Sequence, residues 1–206
     1  IRDQPRSRGL GDVFKRQHIK IHNPESGEIL VDKRNAIHYE NMSISLAESL
    51  ANQGQGMVYS MAFGNGGTSV DPTGIITYLS PNSTGTNASL YNQTYTKVID
   101  DNSINNTDPT RNKIETRHVS GTNYTDIIAT CLLDYGEPSG QDALDNATGS
   151  DSLYVFDELG LVSYATSGTG RLLTHVIFHP VQKSLNRLIQ IDYTVRVQSL
   201  TGFNEA

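Results

Sequence analysis

The sequence has no tryptophan, a single cysteine and little charge, with Asp, Glu, Lys and Arg making up 18% of its 206 residues. Each shortage excludes something. One cysteine, Cys131, leaves no disulfide framework and no multi-cysteine zinc or iron–sulfur site within one chain. The low charge argues against a disordered polyampholyte. No apolar run approaches the roughly 18–20 residues that a membrane helix needs. In their place stand small polar residues: Asn, Ser and Thr occupy 54 positions (16, 19 and 19). The length fits one domain with arms or an insertion, and it is enough to bury a core without staples. These proportions lead us to expect a soluble, β-rich protein whose surface is hydroxyls and amides.

The net charge of -6 is unevenly placed. Residues 1–20 hold Arg2, Arg6, Arg8, Lys15, Arg16 and Lys20 against Asp3 and Asp12, a balance of +4. The other 186 residues carry 10 basic and 20 acidic groups, or -10. A basic arm over residues 1–16 on an acidic body, 17–206, is the expected organisation. The arm fits a disordered terminus or a strap across the acidic body of a neighbouring copy. It fits nucleic acid less well, because Phe14 is its one aromatic and the body repels phosphates. Nothing at either end resembles a signal peptide, so the seven Asn-x-Ser/Thr sequons are read as products of composition.

Along the body, Gln17 to Asp32 reads as a hairpin around the turn cluster Asn23-Pro24-Glu25-Ser26-Gly27. A helix is expected over Asn41 to Gln53, with Ile44, Ala47, Leu50 and Ala51 as its apolar stripe and Gly54 as terminator. Strands follow at Met57–Phe63, Tyr91–Ile99, Arg117–Val119 and Asp126–Leu133. Long polar loops occupy about 64–90 and 137–151. Leu153 to Tyr164 reads as a hairpin turning at Asp157-Glu158-Leu159-Gly160. A dense strand, Arg171–His179, closes at Pro180. Ile189, Ile191, Tyr193, Val195 and Val197 then alternate with polar residues, the pattern of a half-buried strand. The fold class expected is mainly β, an antiparallel β-sandwich or sheet packed by one α-helix. Loops of this length are functional contact surfaces more often than passive connections.

Sites with recognisable chemistry are few. Gly64-Asn65-Gly66-Gly67-Thr68 follows a strand but lacks the Lys and the helix of a phosphate-binding loop, and reads as a wide turn. His18/His22 and His175/His179 are i, i+4 pairs, about 13 Å apart along a strand, too far to share a metal within it. They read as surface or rim residues, with a cross-strand or inter-subunit site at a symmetry axis as the alternative. The pairs Asp100/Asp101, Asp142/Asp145 and Asp157/Glu158 offer carboxylates for glycoside chemistry, but no apolar enclosure marks them. They read as solvated loop charges. Cys131, in Ile127-Ile128-Ala129-Thr130-Cys131-Leu132-Leu133, reads as a small core residue. No catalytic residue, metal ligand or cofactor is expected.

The order of segments is more informative. A hairpin around Asn23-Pro24-Glu25-Ser26-Gly27-Glu28 leads through Val31 to Ile37 and the helix to Met61-Ala62-Phe63-Gly64-Asn65-Gly66-Gly67-Thr68. Later come Phe156-Asp157-Glu158-Leu159-Gly160-Leu161 and Phe178-His179-Pro180-Val181-Gln182-Lys183-Ser184 before a final alternating strand. This order resembles a diffuse group of tailed-bacteriophage virion proteins over most of the chain. The resemblance implies a non-enzymatic structural component of the particle, assembling as a multi-copy ring in the neck or collar, or in the tail or baseplate. Its partners would be copies of itself and other virion proteins, with no nucleic acid and no membrane. Its location would be the virion, assembled in the host cytoplasm. The subunit contacts expected are Arg2, Arg6, Arg8, Lys15 and Arg16 of the arm, with Asn65 and Asp71 in one loop and Asp142 and Asp145 in the other. An alternative is a capsid-surface decoration or host-glycan-binding module using Tyr91, Tyr95 or Tyr124. Two buried carboxylates in one cleft would point instead to a carbohydrate-degrading tail enzyme.

Overall fold

The structure is a computed structural model that describes residues 17–34, 36–140 and 154–198. The alternating C-terminal segment sets the pattern. Strand β12 (Ile189–Gln198) buries Ile189, Ile191, Tyr193 and Val195 and turns Gln190, Asp192, Thr194 and Arg196 outward. Burying each large apolar side chain contributes roughly 1.5–3 kcal/mol, an upper bound. On one side β12 pairs with β1 (Gln17–His22), which forms a hairpin with β2 (Ile29–Arg34). The hairpin turn is held by the Asn23 side chain, whose Oδ1 accepts from the N–H of Glu25 at 2.9 Å and of Ser26 at 3.2 Å. On the other side lie β9 (Tyr124–Leu133) and β8 (Lys113–His118), completing the antiparallel order β2-β1-β12-β9-β8.

A second five-stranded antiparallel sheet packs against the first, and the two share one hydrophobic core. Its order is β3-β11-β10-β4-β7. Its strands are β3 (Ala36–Ile37), β11 (Thr174–Lys183), β10 (Tyr154–Ser163), β4 (Val58–Gly64) and β7 (Gln93–Val98). Phe63, Phe156 and Phe178 meet edge-to-face between the layers, with centroids 5.4 and 5.8 Å apart. The fold is therefore the expected antiparallel β-sandwich with one helix. A small hairpin, β5 (Thr68–Val70) with β6 (Ile76–Tyr78), adds structure inside the segment expected to be loop.

Three expectations need correction. The first is the turn at Asp157-Glu158-Leu159-Gly160, which does not exist: β10 is one unbroken strand through it. The acidic pair and the glycine mimic a turn signal, but both carboxylates are satisfied inside the protein by the hydrogen bonds described below. Gly160 is small for a different reason: a Cβ there would be driven into the Thr174 carbonyl and the Leu172 side chain.

Pro180 likewise does not end its strand. Register passes from Phe156↔Val181 to Glu158↔Ile177, so β11 carries two extra residues beside the proline, a bulge that spares its missing N–H.

The helix α1 spans Tyr39–Leu50 and buries a different face from the one expected. Asn41, Met42 and Ser45 face inward while Leu50 is 80% exposed. Two polar contacts fix this rotation. His38 caps the N-terminus by accepting from the Asn41 N–H at 3.1 Å, and Asn41 Nδ2 donates to the Leu172 carbonyl at 2.9 Å.

Candidate functional site

Three buried ionisable groups converge where strands β4, β10 and β11 run side by side. Asp157 is 3% exposed, and Glu158 and His175 are fully buried. Asp157 Oδ1 accepts from the Gly67 N–H at 2.9 Å. Its Oδ2 accepts from the Thr68 N–H at 2.9 Å and from the Thr68 hydroxyl. Glu158 Oε1 accepts from the N–H groups of Gly66 at 3.1 Å and Asn92 at 2.8 Å. Glu158 Oε2 accepts from the Tyr91 N–H at 3.0 Å and from His175 Nε2 at 2.9 Å. On the far side of the imidazole the Asn82 N–H, which can only donate, reaches His175 Nδ1 at 2.8 Å. That contact makes Nδ1 the acceptor and places the ring proton on Nε2, facing Glu158.

Gly64-Asn65-Gly66-Gly67-Thr68 thus wraps an anion with backbone N–H groups, as a phosphate-binding loop does, but the anions are the protein's own carboxylates. Gly64 has no room for a side chain, since a Cβ would meet the Asn92 carbonyl and Glu158 Oε1. Burial by itself raises the Glu158 carboxyl. The His175 hydrogen bond and the N–H groups of Asn92, Tyr91 and Gly66 outweigh it and hold the group below its ordinary value.

Three chain segments are pinned to the sandwich in this way: 64–68, the stretch reaching Asn82, and Tyr91-Asn92. Further bonds tie them to one another. The Leu79 N–H donates to the Gly67 carbonyl at 2.9 Å, the Tyr91 hydroxyl to the Ser80 carbonyl at 2.7 Å, and Asn92 Nδ2 to Asn65 Oδ1 at 2.6 Å. The result is a shaped platform over the end of the sheet. It exposes an unusual set of apolar side chains: Val70 (62%), Ile75 (63%), Tyr78, Leu79 and Tyr91.

The carboxylates expected to be solvated at 157 and 158 are instead buried, because loop amides and an imidazole supply the hydrogen bonds that water would. They lie side by side on one strand, with their oxygens occupied by the loop. That arrangement holds a loop rather than flanking a glycosidic bond. The His175/His179 pair is split by the β11 bulge, so His175 is internal and His179 is exposed. His18 and His22 do lie on the outer face, each against its own acid, Asp32 at 2.6 Å and Asp192 at 3.0 Å. Asn65 sits exposed on the platform. Asp71 shapes the β5–β6 turn, where the Thr73 hydroxyl and the Ile75, Thr73 and Gly74 N–H groups hold its carboxyl below the ordinary value. Arg2, Arg6, Arg8, Lys15, Arg16, Asp142 and Asp145 lie outside the described residues.

A second buried cluster escaped sequence reading. Lys97 Nζ donates to the Leu132 carbonyl at 2.7 Å and to Glu137. Lys183 Nζ donates to the Tyr135 carbonyl at 3.1 Å and the Ser184 carbonyl at 2.8 Å. Burial pushes the Lys183 ammonium down to about 8, against the opposing pull of Glu137 and Asp134. Both lysines hold the 134–137 turn that leads into the second long loop. The available signal was a lone lysine in each strand, Lys97 before Val98-Ile99 and Lys183 after Val181. Cys131 is buried in the core, its thiol pushed up to about 12 by burial. Among the described residues no group of three His, Cys, Asp or Glu is placed to hold a metal ion. Compared with protein-family models, curated proteins and solved structures, the chain matches none.

Proposed function

We propose that this protein is a non-enzymatic structural component of a tailed-phage particle, contributing several copies to a ring in the neck, collar, tail or baseplate. The observation that carries the reading is the use of Asp157, Glu158 and His175. Three buried ionisable groups hold loops in one shape, and the loops so held expose Val70, Ile75, Tyr78, Leu79 and Tyr91. A pre-ordered surface loses little entropy when a neighbour docks on it. Exposed apolar side chains gathered on one ordered surface are the expected centre of such a contact, with amides and hydroxyls as its rim.

Charge supports the same reading. A basic arm and an acidic body attract one another between copies, and a head-to-tail contact of this kind forms a ring when its rotation closes. The segment order that resembles tailed-phage virion proteins supplies the kind of particle. The test is a variant lacking residues 1–16, supplied during particle assembly in place of the full chain. The expected result is a folded, soluble body whose incorporation into particles falls at least tenfold. Incorporation at the full-length level would refute the clasping role of the arm.

A further inference from the structure

A second feature adjoins the platform, where the 86–90 segment leads into Tyr91-Asn92, and plays no part in the assembly reading. An open groove of about 1010 Å³ runs between the 86–90 segment and the 163–172 turn that follows β10, with β4 in its floor. Its chemistry is unusual in three respects. Most of its polar lining is uncharged, being hydroxyls and amides such as Thr86, Asn87 and Gln93. The one charged side chain among the lining residues, Arg171, is already paired, its Nη1 donating to Glu48 at 2.7 Å. Two tyrosine rings, Tyr59 and Tyr164, stand edge-to-face in the groove with centroids 5.1 Å apart. Tyr59 is held in place through its hydroxyl, which accepts from Ser103 at 3.3 Å and Asn105 at 3.1 Å.

From these features we infer that the groove is a binding site for a neutral oligosaccharide. An anionic ligand would need an unpaired cation, and Arg171 is neutralised by Glu48. A purely apolar ligand would leave the lining amides and hydroxyls without partners, at a cost of about 1–3 kcal/mol for each buried group. A chain of neutral sugars meets both requirements. Its hydroxyls exchange hydrogen bonds with Thr, Asn and Gln side chains, while the C–H face of one ring packs on a tyrosine. The groove is open along one side, so a linear chain can lie in it without threading. Its volume is at the upper end of the ~300–1,000 Å³ typical of ligand clefts, which suits several rings rather than one.

The absence of tryptophan makes the test direct, because tyrosine emission is not masked. The full chain is titrated with maltohexaose, cellohexaose and chitohexaose, and with a heparin-derived hexasaccharide as the charged counterpart. Backbone amide shifts locate any binding. The inference predicts saturable binding of at least one neutral hexasaccharide, with shifts concentrated at Tyr59, 86–93 and 164–171. Tyr164→Ala should weaken it at least tenfold, and Val70→Ala, on the platform and outside the groove lining, should leave it unchanged. Asn87→Lys, at the exposed rim, should also weaken it and keeps the test independent of any folding defect in Tyr164→Ala. No saturable binding by any neutral probe, binding by the heparin fragment alone, or binding untouched by both groove variants would each overturn the inference. None of these outcomes bears on ring assembly, which is read in the particle.

Discussion

Glu158 accepts four hydrogen bonds, three from backbone N–H groups and one from an imidazole, so amide dipoles and the ring N–H stabilise its charge. Replacing it with glutamine keeps the shape but turns an acceptor oxygen into an NH2 group facing N–H donors. The cost expected for Glu158→Gln is about 2–3 kcal/mol, read as a lower urea midpoint. Local release should accompany it, seen as faster hydrogen exchange at Gly66, Tyr91 and Asn92. The pH dependence carries a sign as well. The folded carboxyl lies below its ordinary value, so its contribution is complete above the ordinary carboxylate range and is lost as pH falls through the depressed folded value. Glu158→Gln should therefore flatten the acid limb of stability. An unchanged acid limb would show that Glu158 is not held as a charge. The role of these residues was hidden in the sequence because burial is a tertiary property. Asp157-Glu158-Leu159-Gly160 carries the composition of a turn, and only the donors of a loop some 90 positions earlier make it a strand.

The strands were readable where burial is one-sided, and the clearest case is β12, whose alternation matches its buried and outward faces from Ile189 to Arg196, Val197 being partly buried. Strands covered on both faces were harder. β10 lies between the core and the 80–92 segment, so its residues are buried on either side and show no period. The helix was readable as an element but not by its face. Apolar spacing favours Ile44, Ala47 and Leu50, whereas the His38 cap and the Asn41 amide rotate the buried face onto Asn41, Met42 and Ser45. Stability measurements on two variants decide between the faces. Leu50→Ala should change stability by less than about 0.5 kcal/mol, and Met42→Ala should cost about 2–4 kcal/mol. The reverse order in thermal or urea denaturation would restore the face expected from spacing.

At the scale of the whole molecule, the hydroxyl- and amide-rich composition divides into separate uses. Part of it shapes turns, as Asn23 and Asp71 do. Part of it lines the groove over Tyr59 and Tyr164. The rest surrounds the apolar platform held by Asp157, Glu158 and His175. None of this division is visible in composition, because a serine in a turn and a serine at a contact are alike in sequence. The sequence did carry the arm-and-body asymmetry, since charge needs no fold to be counted. The proposed function makes the platform and the basic arm contact surfaces between copies in a phage particle. The most direct test is a cryo-EM map of intact particles containing the chain, at a resolution that traces it. The expected result is a closed ring in the neck or tail, with Val70, Ile75 and Tyr78 buried against a neighbour and residues 1–16 lying across its acidic body. Particles that lack the chain, or copies whose platform faces solvent throughout, would contradict it.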